Sequence, residues 1–183
     1  MIPGAKNGIK KMNVRRISAA VVVSVALGVM SAALPASAAE WMPWDGQDAS
    51  APRAIYTQDS EERGALLVCK SDGTLSAMIS LSPADMPALL AKNAPYARSA
   101  KATVAVGDQD AVETTFRYIP AIDTVETREH LIAAKVFNAA VMGEPLNISV
   151  KREGDIQASL PVPDDTFKAF AKTCKTLREG TAD

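Results

Sequence analysis

The hydrophobic and polar positions along the chain fall into two regimes. From Ile17 to Leu34 an uncharged run of Ala, Val, Ser, Gly, Leu and Met shows neither helical nor strand periodicity. Beyond Pro52 the pattern becomes periodic. Ala65 to Lys70 and Thr74 to Ser80 read as two strands around Ser71-Asp72-Gly73, because Asp-Gly supplies the positive φ angles of a tight hairpin. Ala65, Leu67 and Cys69 share one face of the first strand. Leu66 and Val68 lie on the other, so the strand is expected to be covered on both sides. Arg53 to Thr57 makes a short strand before them. Ala102 to Val106 and Ala111 to Tyr118 form a further pair across a turn at Gly107 to Asp110. In the second of these, Val112, Thr114, Phe116 and Tyr118 alternate with Glu113, Thr115 and Arg117. Ile122 to Glu126 adds a short strand after Pro120. Leu146 to Lys151 and Ile156 to Leu160 make a second hairpin around Glu153-Gly154-Asp155.

Three segments carry the helical signature. Ser82-Pro83-Ala84-Asp85 has a cap, a first-turn proline and an early acid, and the helix it opens must stop before Pro95. Glu129 to Met142 presents Leu131, Ile132, Val136, Phe137, Ala140 and Val141 as a wide apolar stripe, ended by Gly143 and Pro145. Asp164 or Asp165 caps a last helix whose apolar positions are Phe167, Phe170, Ala171, Cys174 and Leu177. Hairpins alternating with helices predict an α+β domain, an antiparallel β-sheet with two or three helices packed on it.

The run from Ile17 to Leu34 is a different object. Basic Lys10 to Arg16 precede it, and Pro35-Ala36-Ser37-Ala38-Ala39 follow it. A positive start, an apolar middle and a small-residue exit make a secretory signal peptide, cut at Ala36-Ser37-Ala38 before Ala39 or one residue later. Met12 serves as an alternative start to Met1. An uncleaved anchor is the competing reading, since 18 residues approach spanning length. The organisation expected is a leader over 1–38, an extended segment over 39–52, one domain over 53–178 and a tail over 179–183. Removal of the leader leaves about 145 residues, enough for one core. The expected location is the periplasm, or beyond it after further secretion, with no stable membrane insertion once the leader is gone.

Charge sharpens the partner classes. Residues 40–183 hold 15 Lys and Arg against 21 Asp and Glu, a net charge of −6. That balance opposes nucleic acid and anionic membrane surfaces as partners. The two cysteines, Cys69 and Cys174, both follow the leader, and an oxidising envelope would pair them. The predicted strand and helix then place a disulfide between the last helix and an early central strand.

Candidate chemistry is sparse. His130, the one histidine, opens a predicted helix and lacks a Gly-x-Ser-x-Gly elbow elsewhere, so it reads as a polar surface residue. Glu61-Glu62 reads as a solvated loop and Asp164-Asp165 as helix capping. Asp108-Gln109-Asp110 lacks the later glutamate of a calcium loop. Lys151-Arg152 is a small basic spot at a turn. No catalytic residue, cofactor site or metal site is predicted. Trp41 and Trp44 are either a binding surface or the means of tying an extended terminus to the core.

The run Leu66-Leu67-Val68-Cys69-Lys70-Ser71-Asp72-Gly73, the strand centred on Phe116, the helix and hairpin after it, and Cys174 in a last amphipathic helix make one pattern over about residues 53–178. It resembles the exported VasI-like proteins associated with type VI secretion. More distantly it resembles the invasion-associated locus B proteins of Gram-negative bacteria. The resemblance implies a periplasmic α+β domain with a structural Cys69–Cys174 disulfide and no catalytic residues. The function expected is a non-enzymatic accessory or binding protein that contacts an envelope or secreted protein partner, linked to secretion or host interaction. An acidic inhibitor of a cationic enzyme such as a lysozyme is the alternative, and a hydrolase built around His130 a third.

Overall fold

The structure, a computed structural model, describes residues 39–44, 46–58, 64–82 and 96–180. The leader, Glu61-Glu62 and most of the helix expected between Ser82 and Pro95 lie outside them. Nine strands appear in chain order: β1 (Met42–Pro43), β2 (Ala54–Gln58), β3 (Gly64–Cys69), β4 (Leu75–Ser80), β5 (Arg98–Val106), β6 (Val112–Ile119), β7 (Thr124–Thr127), β8 (Leu146–Val150) and β9 (Gly154–Ala158). Two α-helices accompany them among the described residues, α1 (His130–Met142) and α2 (Asp165–Gly180). The strands join in one antiparallel sheet in the order β1-β2-β3-β4-β7-β6-β5-β8-β9. The sheet is curled into a half-barrel. Its curl brings Thr57 and Ala65, near one end, into the same small cavity as Ile156 and Ala158 at the other.

Register explains the core. Ile55 pairs with Leu67, Leu67 with Ala77, and Val104 with Ile148, so one face of the sheet collects the apolar set from every strand. Phe116 is 1% exposed near its middle, and Ala100, its partner on β5, is buried beside it. Helix α1 crosses β4, β5 and β7, while α2 lies over β2 and β3. Alanine dominates the first of these contacts: Ala133, Ala139 and Ala140 on α1 and Ala77, Ala100 and Ala102 on the strands are all buried. Small side chains on both surfaces let the helix come close to the sheet.

Several elements differ from the sequence expectation. β5 begins at Arg98, four residues before the expected Ala102, because Ser99 and Lys101 face solvent and only the small Ala100 marks the inner side. The last hairpin turns at Lys151, Arg152 and Glu153, where Arg152 takes φ 75°, and Gly154 already opens β9. Residues 39–52 are not wholly irregular, since Met42 and Pro43 pair with Tyr56 and Ile55. Proline is tolerated there because the strand is at an edge. Leu131 and Val141, assigned to the buried stripe of α1, are 78% and 51% exposed. Apolar residues surround most of that helix, so periodicity alone could not select the buried face. On β3 the outer Leu66 is buried between Tyr56 and Met78, as the two-sided expectation requires, but Val68 is only partly covered. Helix α2 continues to Gly180, into the expected tail.

Helix α2 is held at both ends. Asp164 Oδ1 accepts the Phe167 N–H at 2.9 Å and caps its start. Near its end the first hairpin packs against it. Gly73 has φ 74°, and a Cβ there would stand 2.6 Å from Arg178 Cβ and the Arg178 nitrogen. Between these points Cys69 and Cys174 form the disulfide, Cα atoms 5.7 Å apart and 105 residues apart in sequence. Closing a loop of that length limits the unfolded ensemble by an amount worth up to about 4.7 kcal/mol. Replacing both cysteines by alanine is expected to lower unfolding stability by about 3 kcal/mol. Denaturant titration of oxidised protein and the double variant checks this, and equal midpoints would refute it.

Candidate functional site

His130 and Cys174 line one groove between α1 and α2, with a volume of about 250 Å³, together with Leu75, Phe137, Asn138 and Arg178. The histidine has a defined task. Its Nδ1 accepts the main-chain N–H of Leu75 at 3.0 Å, which satisfies the first donor of β4 and ties that strand to the start of α1. One ring nitrogen is therefore committed to backbone. Lys70 reaches the same junction, its Nζ donating to the Arg128 carbonyl at 3.3 Å. The groove places the His130 ring beside a disulfide, an arrangement that fastens hairpin, helix and helix together.

The two tryptophans part company. Trp41 is 2% exposed, so it is not available as a binding surface. Its indole N–H donates to the Pro161 carbonyl at 3.0 Å, its main-chain N–H donates to Asp164 Oδ2 at 2.9 Å, and its ring lies 5.2 Å from Phe167. Asp164 thus caps α2 with one oxygen and holds the N-terminal segment with the other. Phe137 also packs on Phe167, ring centres 4.7 Å apart and tilted by 32°, and links α1 to this anchor. Trp44 is half-buried, set edge-on to Tyr56 at 5.9 Å, and keeps part of its surface in solvent.

The outer face of the sheet is mostly polar. A shallow depression of about 650 Å³ over β6, β5 and β8 is lined by Lys101, Thr103, Glu113, Thr115, Ser149 and Lys151. Lys101 and Lys151 are adjacent there, since the Lys151 N–H donates to the Lys101 carbonyl at 2.8 Å. Hydroxyls and ammonium groups of this kind can satisfy a polar surface, and the set includes neither a histidine nor a cysteine. Beside it Glu126 receives hydrogen bonds from Arg117 and Arg128. Burial raises its carboxyl, but the hydrogen bonds from the two arginines outweigh burial and hold it below the usual glutamate range. Tyr118 donates to Asp123 Oδ1 at 2.8 Å, with the Arg98 guanidinium 5.2 Å from its ring centre. Burial, reinforced by the bond to Asp123, pushes its phenol up to about 12.

The remaining sequence candidates disperse. Asp108 and Asp110 are exposed in the β5–β6 turn, Asp165 begins α2, and Lys151-Arg152 forms the β8–β9 turn. Among the described residues no group of three or more His, Cys, Asp and Glu could hold a metal ion. No helix among them is long and apolar enough to cross a membrane.

An exposed apolar cluster went unpredicted. Val141 and Met142 end α1 at 51% and 46% exposure, and Val162, 69% exposed, approaches the Gly143 that closes the helix: a Cβ there would be 4.0 Å from Val162 Cγ1. Its sequence signal was the excess of apolar positions on α1, more than one face can bury.

Two outcomes follow. Trp41→Ala is expected to cost about 3–5 kcal/mol of stability and Trp44→Ala about 1 kcal/mol, by denaturant titration; equal losses would refute the anchoring role. Tyr118 contributes stability that is complete below the ordinary tyrosine value near 10 and is lost as pH rises through about 12. In an absorbance titration the late-ionising phenol must vanish in Tyr118→Phe, and a single transition for all three tyrosines in the wild type would contradict it. No protein-family model matches this chain, nor does any curated protein or solved structure, so its own geometry carries the functional reading.

Proposed function

We propose that this chain is an exported, disulfide-stapled binding protein of the bacterial envelope that works through contact with a protein partner and not through turnover. The observation that carries the reading is the cluster of Val141, Met142 and Val162 on the surface. Single exposed apolar residues are ordinary, but three of them at one helix end and the segment that approaches it make a candidate contact surface. The cluster is also rigidly presented. Gly143 closes α1 with φ 65°, its N–H reaching the Ala139 and Ala140 carbonyls, and Val162 stands two residues before the Asp164 cap of α2.

Three observations support the compartment and the mode. The Cys69–Cys174 bond suits an oxidising environment. The leader pattern and the resemblance to VasI-like proteins agree with export, and with a link to secretion or host interaction. His130, the one residue that invited a hydrolytic reading, spends Nδ1 on the Leu75 N–H. The net charge of −6 over residues 40–183 favours a neutral or cationic partner surface.

A photo-crosslinking residue placed at Val162 in cells expressing the full gene tests this. The expected result is a discrete adduct that Met142→Lys abolishes and that a probe at Lys175, on exposed α2 surface, does not give. No adduct at Val162, or the same adducts from both positions, would overturn the proposal.

A further inference from the structure

The curl of the sheet leaves a seam where its two ends meet. Thr57 of β2 with Gly64 and Ala65 of β3 form one wall, and Ile156 and Ala158 of β9 with Pro161 form the other. Between them is a cavity of about 10 Å³, room for roughly one water molecule. Thr57 is 3% exposed, and its Oγ1 is the one buried side-chain oxygen or nitrogen among the described residues without a hydrogen-bond partner. Folded proteins rarely leave such a group unpaired, because it has given up water and gained nothing.

Ala39 lines the same cavity and is half-buried. Its position is fixed two residues downstream, where Trp41 is bonded to Asp164 and Pro161 and stacked on Phe167. The chain is therefore anchored at the mouth of the seam at the residue that the leader pattern places first after cleavage. We infer that the seam is a docking site for the new amino terminus at Ala39, and that this terminus is the missing partner of Thr57. The inference rests on the export reading given above. Hydrolysis by a signal peptidase adds water across the Ala38–Ala39 peptide bond: Ala38 departs as a carboxylate, and the Ala39 nitrogen becomes an ammonium group. An amide with one N–H is replaced by three donors and a positive charge. One donor meets Thr57 Oγ1, directly or across one water, for which the cavity has the size. The remaining donors face solvent at the half-exposed Ala39, and the Asp164 carboxylate at the Trp41 nitrogen supplies a nearby negative charge. The site also selects its occupant. A chain cut one residue later would begin at the exposed Glu40 and leave the cavity wall incomplete.

The full gene, expressed with its own leader in a Gram-negative host, provides the test. Intact mass of the exported protein should correspond to a chain beginning at Ala39. Thr57→Val keeps the shape and deletes the hydroxyl, so the sign of its effect is diagnostic. An orphaned hydroxyl makes the variant more heat-stable than wild type, whereas a hydroxyl bonded to the amino terminus makes it less stable, by about 3 °C in Tm. Selective acetylation of the α-amine near neutral pH supplies a second measurement on unaltered sequence. It should lower the wild-type Tm by a similar amount and leave Thr57→Val unchanged. A different first residue, a higher Tm for Thr57→Val, or indifference of the wild type to acetylation would each overturn the docking. A retained leader would overturn the export reading as well, whereas a removed leader with a stabilised Thr57→Val would remove the docking alone.

Discussion

Cys69 stands on the third strand of the chain and Cys174 on its last helix, and the bond between them fixes covalently a contact that closes a loop of 105 residues. Helix α2 covers β2 and β3, which precede it by about a hundred residues. Its own apolar anchors on that surface are few: Phe167, Phe170 and Cys174 are its buried residues. Leu177 adds a partly buried contact and most of the rest of the helix is polar or small, so the disulfide and the close approach of Gly73 to Arg178 reinforce what burial alone would hold weakly. Everything at the start of α2 depends on that placement. Asp164 can bind both Phe167 and Trp41 only if the helix begins where it does, and Trp41 can close the N-terminal segment only against Phe167.

Helix α1 shows the opposite strategy. It follows β7 after a short connection and buries three alanines beside Ile132 and Val136, with no covalent bond to the sheet. Close approach buries the helix backbone along with its side chains, and His130 adds a polar tie by accepting the Leu75 N–H. The consequence is an imbalance. The helix carries more apolar residues than its one packed face takes up, and Leu131, Val141 and Met142 are displayed to solvent. The exposed cluster is thus a product of how the core is built as well as a candidate contact surface.

These two strategies explain what could be read in advance. Period-two alternation from Val112 to Tyr118 and the Asp72-Gly73 turn identified β6 and the first hairpin, because both signals are local. The disulfide followed from the presence of two cysteines in a chain with a leader pattern, and α2 from apolar residues at helical spacing. What escaped reading was set by distant partners. The inner face of β5 is marked by Ala100 and Ala102, whose burial requires α1 to lie on them. The strand at Met42–Pro43 exists because Trp41 is fixed 120 residues away at Pro161. Arg152 adopts a positive φ although Gly154 stood nearby, since the register of Val150 with Gly154 determines which residue occupies the turn. The seam at Thr57 needs both ends of the sheet and had no local signature at all.

The seam and the apolar cluster bear differently on function, and the difference decides which surface can vary between states. Trp41 is bound by two hydrogen bonds and by the ring of Phe167, which in turn packs on Phe137, so the segment that carries it is part of the core once it is seated. A surface that must be assembled during folding cannot also be an exchangeable recognition element without exposing Phe167. Val141, Met142 and Val162 carry no such duty, since they stand 51%, 46% and 69% exposed outside the core. Binding at that cluster is compatible with an unchanged domain, and a domain whose first described segment is fastened by Trp41 and whose last helix is fastened by a disulfide is well suited to present it.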